Sequence, residues 1–464
     1  QSEQWPQDWQ GSAITCDFRA HRIVRFSISE NEAGYAAQEA GDLVRSLDPT
    51  FRPIDVKVGP DGALYVADWS NPIIQHGEVD FRDSRRDKVT GRIWRISYKN
   101  HPLLPRPGLV GMSDGQLMDE LKSPNAYNRK QARRILTERG DAIHGSLRDW
   151  TEQHDDEQDR LQALWMHQSL DQVNMPLLEE LLQADDGRVR AAAVRVLRFW
   201  MKGDSNAEVW LAKLVRDKHP RVRLEALRAL SHSRTGNAAA LALSVLQHPM
   251  DRFLDYGLWL TINDLVDPWI QSIQNGTWDP IGKEAELEFG LSSIEPDKAS
   301  KVLEPLIAAR TSDELMDGPW TSLIAKAGTV SQLNRLIEIV QDDARDETAV
   351  LKCLSALNDA SRLRRLKPTG HQARIARLFN HSNQEVQIAA LDLVREWKFA
   401  GALNALMATA KNNGAQEQVR GRAVLALGAI GGDDAWNSLK LLITPDQRRV
   451  HPTPGDTIAG CDQA

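Results

Sequence analysis

The chain has 464 residues, too many for one ordinary hydrophobic core, so two or more folding units are expected. Its 57 Lys and Arg against 64 Asp and Glu give a formal charge of −7 with no basic stripe, which excludes nucleic acid as a main partner. No apolar run approaches the roughly 20 residues that span a bilayer, and three scattered cysteines cannot form a metal knuckle or a disulfide framework.

The first residues, QSEQWPQDW, include no methionine and no charged-then-apolar leader. The last, GDTIAGCDQA, carry no domain-ending signal. Both ends read as those of a piece cut from a longer protein. Residues 1–100 are polar and β-like. GSAITCDFRAHRIVRFSIS (11–29) gives two short strands with a turn near Arg19-Ala20. In FRPIDVKVGPDGALYVADW (51–69), Ile54, Val56 and Val58 alternate with Asp55 and Lys57, the period of a half-buried strand. Gly59-Pro60-Asp61-Gly62 then reverses the chain, because proline presets one φ and the glycines tolerate positive values. Leu64, Tyr65 and Val66 return as the partner strand. A long irregular insert follows, and GRIWRISY (91–98) makes the next strand. Short strands joined by such turns suggest a propeller or a sandwich. The content is about one and a half to two four-stranded blades, fewer than a closed propeller needs.

HPLLPRPGL (101–109) carries three prolines and continues neither strand nor helix. It marks a linker over 101–111. From 112 to 445 the chain repeats itself. PNAYNRKQARRIL (124–136), DEQDRLQALWM (156–166), DGRVRAAAVRVL (186–197), HPRVRLEALRAL (219–230), NQEVQIAALDLV (383–394) and QEQVRGRAVLAL (416–427) share one pattern. The residue before the recurring Arg or Gln falls at Asn128, Asp159, Val189 and Val222, and later at Val386 and Val419, in steps of 30 to 33. An amphipathic first helix such as MPLLEELLQ (175–183) lies between successive copies. Two helices in a period near 30 predict a right-handed α-solenoid of about ten units, HEAT-like in its V-R-x-x-A-L signature. The pattern weakens around 264–330, where Pro280 and Gly282 interrupt. Ala192, Leu197, Leu224, Leu227, Ile388, Leu391 and Leu425 are expected in the core between helix layers. Residues 446–464 read as a polar tail. The chain is therefore multidomain and mainly α.

The repeats supply no catalytic constellation. Their histidines form no H-x-x-x-H or H-E-x-x-H pair and read as surface or packing residues. The tryptophans read as packing, and Cys353 as a small buried hydrophobe. Arg190, Arg223 and Arg420 recur at one place; they either pair with acidic residues of the adjacent turn or form a ladder along a binding surface. The insert SNPIIQHGEVDFRDSRRDKVTGR (70–92) concentrates charge in a loop too irregular for a strand. Carboxylates there could hold calcium and arginines could hold anions, or the loop could pair with itself and cap the sheet.

The block FRPIDVKVGPDGALYVADWSNPIIQH…RDSRRDKVTGRIWRISY (51–98) resembles the last part of a glucose/sorbosone-dehydrogenase-like β-propeller. That propeller occurs in multidomain planctomycete and verrucomicrobial proteins described as membrane-bound dehydrogenase domain or PVC-type haem-binding proteins. The stretches 114–140 and 251–265 resemble the repeat region of the same family. The resemblance implies the terminal blades of a partial β-propeller over 1–100 followed by the solenoid, in a periplasmic or secreted protein. It implies pyrroloquinoline quinone (PQQ) and calcium in the complete propeller, sugar or alcohol oxidation, and electron transfer to a downstream cytochrome c domain. Two departures stand out. No C-x-x-C-H occurs, so haem c would sit in a missing downstream domain or the haem domain is absent, and Lys88 stands where the family commonly has histidine. Arg52, Asp55, His76, Arg82 and Arg92 are the candidate cofactor-binding residues, with Asp68 as metal ligand, all expected at one rim of the β region. The competing reading is a non-catalytic propeller and HEAT scaffold that binds protein or carbohydrate on the solenoid surface.

Overall fold

The computed structural model describes residues 2–75, 77–200, 206–341, 345–370 and 372–442. The tail expected over 446–464 lies outside them, as do His76, His371 and Cys461. The chain forms two compact units, Gln1–Leu265 and Val266–Ala464. The β region and the first helices share the first unit.

The β region holds two antiparallel sheets. One contains β1 (Ala13–Asp17), β2 (Arg22–Asn31) and β3 (Gly34–Arg45) in that order; the other contains β4 (Pro53–Val58), β5 (Leu64–Asp68) and β6 (Arg92–Ile96). Five of these strands lie where the sequence pattern puts them. β3 carries no such pattern, because most of its side chains are exposed and no apolar face repeats along it. Each sheet has three strands, and no closed propeller forms among the described residues.

The β4–β5 turn works as its residues require. Gly59 N–H donates to Ala63 O at 2.8 Å, and Asp61 Oδ1 accepts from Ala63 N–H. Gly62 has φ +80°, and a Cβ there would meet Ser2 Oγ at 2.5 Å and Leu104 Cδ1 at 2.9 Å. Positive φ and close packing both select glycine. The linker returns to the same turn, with Leu104 N–H donating to Asp61 O at 3.0 Å. Ile23, Phe51 and Val66 form the core between the sheets, with Ile14, Cys16, Leu43, Val44, Val56 and Ile96 around them.

In the first unit the helices are α1 (Asp114–Asp119), α2 (Ala126–Arg139), α3 (His144–Glu152), α4 (Glu157–Ser169), α5 (Met175–Leu181), α6 (Gly187–Trp200), α7 (Asn206–Leu214), α8 (Pro220–Leu230), α9 (Gly236–Leu243) and α10 (Arg252–Asp264). The even-numbered helices pack in sequence from α2 to α10, with the odd-numbered ones behind them. The second unit begins with α11 (Val266–Gln274), α12 (Glu284–Ser293), α13 (Pro296–Ala308), α14 (Ser312–Met316), α15 (Trp320–Ala327) and α16 (Val330–Val340). It continues with α17 (Glu347–Arg364), α18 (Gln384–Trp397), α19 (Leu403–Lys411), α20 (Glu417–Ile430) and α21 (Gly432–Lys440). Here α15, α17, α18 and α20 pack in series.

The repeat signature has a physical reading. The Asp or Asn of the signature is the N-cap in three of these helices: Asn125, Asp156 and Asn383 accept backbone N–H groups of α2, α4 and α18, while His219 takes that place in α8. The marker valines Val189, Val222, Val386 and Val419 are buried. The residue after the marker bonds the loop between the paired helices at Arg129, Arg190, Arg223 and Gln387. Arg190 donates to Ala184 O and Asp185 O at 2.7 and 2.9 Å, and Arg223 to Asp217 O at 2.9 Å. Arg129 does the same to Ser123 O and Pro124 O, and Gln387 to His381 O at 2.6 Å. These donors satisfy carbonyls of the connecting loops, beyond the last turn of the preceding helix.

Leu197, Leu227 and Leu391 are buried as expected, whereas Ala192, Leu224 and Ile388 are half-buried. Leu425 is 54% exposed, which corrects its place in the core. In α20 the inward stripe is Val419, Ala423, Ala426 and Leu427, and Leu425 projects from the other side of the helix. Cys353 is buried, and burial pushes its thiol up to about 12.

Candidate functional site

Arg52, Asp68 and Arg92 come together beside the second sheet. The Asp68 side chain is fully buried, at the end of β5. Its Oδ1 accepts from Arg52 N–H at 2.7 Å and Ser70 N–H at 2.9 Å. Its Oδ2 accepts from Arg92 Nε at 2.7 Å and Trp94 Nε1 at 2.8 Å. Burial opposes ionisation, but the hydrogen bonds from Trp94, Arg52 N–H, Ser70 N–H and Arg92 prevail and hold this carboxyl below the usual range. Four donors occupy the acceptor positions of one carboxylate, so Asp68 as arranged here offers none to a calcium ion. No cluster of three or more His, Cys, Asp or Glu able to hold a metal occurs among the described residues.

The Arg52 guanidinium is likewise occupied. It donates to Asn71 O at 2.9 Å, Phe18 O at 2.8 Å and Pro72 O at 3.2 Å, and burial lowers its pKa. Arg92 also reaches Asp48 Oδ2 at 3.2 Å and Thr50 Oγ1 at 3.0 Å. Asp55 is exposed and pairs with Lys57. Arg82 is exposed on the insert, its backbone N–H donating to Asp80 Oδ1. His76 lies outside the described residues. Arg86, not singled out from the sequence, is the organiser of the insert. Its buried guanidinium donates to the carbonyls of Gln75, Val79 and Asp80.

A second place in the first unit has the form of a binding surface. The β2–β3 hairpin runs outward from the sheet core, and its tip rests on α8 and α10. The Oδ1 of Asp251, the N-cap of α10, accepts from Phe253 and Leu254 N–H, while its Oδ2 accepts from Ala33 N–H at 3.0 Å. Gly34 lies against the Phe253 ring, where a Cβ would come within 2.6 Å of it. The Arg221 guanidinium stacks over Tyr35 at 3.9 Å and approaches Glu30 at 3.8 Å.

Beside this contact, α6, α8 and α10 enclose an open groove of about 680 Å³. Gly257 permits α10 to approach α8 closely, since a Cβ there would come within 2.5 Å of Leu224. Leu224 and Leu260 line the groove with Phe199, Phe253 and Tyr256. Phe199 is 57% and Tyr256 60% exposed, and Tyr256 stacks on Trp259. Four arginines and one glutamate face this space. Arg195 pairs with Glu225, and Arg228 with Asp264 at 3.4 Å. Arg198 and Arg252 instead stack on Phe199 and Phe253, at 5.2 and 4.6 Å, and Arg198 Nε is buried without a hydrogen-bond partner. The sequence did not single out this groove. Apart from Leu224, which the period assigned to the core and which is half-buried, its residues lie between the positions that the period identifies.

Family models match two parts of the chain. Residues 1–100 match a domain of unknown function, DUF7133, and residues 174–254 and 372–451 match HEAT repeats. Neither match is to a dehydrogenase or haem-binding family. No curated protein matched the chain. Among solved structures, Kap121p bound to Pho4p is 14% identical with a TM-score of 0.40, covering 73% of this chain and 45% of its own. A second Kap121p structure covers 42% of its own length, so this chain spans less than half of either. The complex of CpcE and CpcF of phycocyanin lyase from Nostoc sp. PCC7120 is 14% identical over 58% of this chain and 94% of that one, with a TM-score of 0.23. Human deoxyhypusine hydroxylase is 16% identical over 57% and 88%, with a TM-score of 0.21. The chain thus carries HEAT repeats behind a small β region.

Proposed function

We propose that this chain is a helical-repeat scaffold that binds a protein partner on the even-numbered helices of its first unit. The observation that supports it best is the groove between α6, α8 and α10, which combines exposed rings with guanidiniums not neutralised by carboxylates. Aromatic residues and arginine are enriched at protein interfaces because each offers a large contact area with a polar handle. In contrast, the polar cluster around Asp68 is filled from within the chain and holds β5, β6 and the residue 52 strand entry in place. The electron transfer to haem c implied by the N-terminal resemblance would require a segment beyond these residues, since no haem-attachment motif occurs in them.

A displayed random-peptide library tests the reading. Selection on the full chain should enrich sequences that compete with one another and lose binding to Leu224→Asp or Tyr256→Ala. Failure to enrich any peptide, or enrichment indifferent to both substitutions, would remove the groove as the partner surface.

A further inference from the structure

We infer that the groove between α6, α8 and α10 takes an extended peptide segment that carries carboxylates next to an aromatic side chain. The inference rests on the scaffold reading and adds the chemistry of the ligand.

Three observations carry it. First, the charge facing the groove is unbalanced, four arginines against Glu225. Arg195 and Arg228 already have carboxylate partners, whereas Arg198 and Arg252 lie on aromatic rings. A guanidinium stacked on a ring keeps its edge donors available to an incoming carboxylate. Second, Phe199, Tyr256, Leu224 and Leu260 supply apolar walls that a purely charged ligand would leave unused. Third, the same row of helices already holds an extended segment of this chain. At the hairpin tip, Arg221 covers the Tyr35 ring while approaching Glu30, and the backbone N–H of Ala33 is fixed by Asp251. An acid, a ring and an extended backbone are thus the features this helix row accepts one step away. Phe253 belongs to both places, packing on Gly34 and lining the groove. Two available guanidiniums suit one or two carboxylates rather than a polyanion, and Glu225 within the groove opposes a dense phosphate backbone.

Fluorescence anisotropy on the full chain tests this with three labelled probes: an extended peptide of Glu, Phe and Gly, its counterpart with Lys for Glu, and a single-stranded deoxyoligonucleotide. The acidic peptide should bind best. Arg198→Glu with Arg252→Glu should weaken it about tenfold or more, while Arg216→Glu, an exposed control outside the groove, should not. Thermal melts of each variant show that the fold is retained. Equal binding of the Lys peptide would overturn the acidic assignment but leave a peptide-binding scaffold. Preference for the oligonucleotide, or affinity for the acidic peptide unchanged by the double reversal, would overturn it too. The scaffold reading itself fails only in the library selection.

Discussion

The two hairpins of the β region teach opposite lessons. β4–β5 is short, and one of its faces buries Leu64 and Val66 in a core. A Gly-Pro-Asp-Gly turn and a carboxylate buried at its base secure it. β2–β3 is nearly twice as long, yet beyond Val24 most of its β2 side chains and nearly all of β3 are exposed. Its outer half is held by ladder bonds and by a tip seated on α8 and α10. Isolated two-stranded hairpins are marginal in water. The first hairpin therefore gains stability from its own sequence neighbourhood, the second from a helix surface more than two hundred residues away.

Removing the base of the short hairpin should have the largest effect. Asp68→Ala leaves Arg92, Trp94 and two backbone N–H groups without their acceptor and should cost about 3–5 kcal/mol in chemical denaturation. Amide exchange should accelerate across β4, β5 and β6. A loss near zero would show that these donors find other partners and that the hairpin does not depend on its buried acid.

The floor beneath the long hairpin comes next. Leu227 is fully buried in α8, and Leu227→Ala should cost roughly 2–5 kcal/mol. Less than about half a kcal/mol in denaturant melts would be incompatible with its packing between helix layers.

Asp251→Ala separates the two hairpins most directly. Loss of the N-cap should cost about 0.5–2 kcal/mol, and Ala33 N–H loses its acceptor. Amides near residues 30–36 should then exchange faster while those of 56–66 stay unchanged. Equal acceleration in both would mean that the hairpins are not independently anchored.

The smallest effect concerns acid. Asp217 receives Arg190 at 2.8 and 2.9 Å in a paired contact. Burial opposes its ionisation, yet the bonds from Arg190 and His219 N–H hold its pKa below the ordinary value. A depressed carboxyl contributes stability above its unfolded pKa, about 3.9. That contribution is lost as pH falls through the lower folded value. Asp217→Asn should therefore flatten the decline of melting temperature below about pH 4, most clearly in the first unit. An unchanged slope would assign the acid sensitivity to other carboxylates.

Much of the fold was legible because it rests on local rules. Val189, Val222, Val386 and Val419 recur at a helical-repeat period, and the residue three places before the marker caps the helix at His219 and Asn383. The ladder arginines fit the pairing alternative at Arg190, which meets Asp217 of the following unit. Leu425 shows where periodicity fails: α20 is rich in alanine and leucine on several sides, so its pattern does not single out one face. β3 shows another failure, since a ribbon exposed on both sides has no reason to alternate. Of the candidate site residues, Arg52, Asp68 and Arg92 do converge, because β5 and β6 place residues 68 and 92 opposite each other. Asp55 and Arg82 hold other positions, with partners nearby in sequence.

The sequence by itself determined where five of the six strands and the regular repeat helices lie and how often the unit repeats. Those features depend on residues a few positions apart. Only the tertiary structure decided which surfaces meet. Ala33 reaches Asp251 across 218 residues, and the groove draws its arginines and rings from three alternate helices, α6, α8 and α10. No periodicity encodes such a meeting, because side chains that point away from a repeat are free of the packing that makes the repeat recognisable.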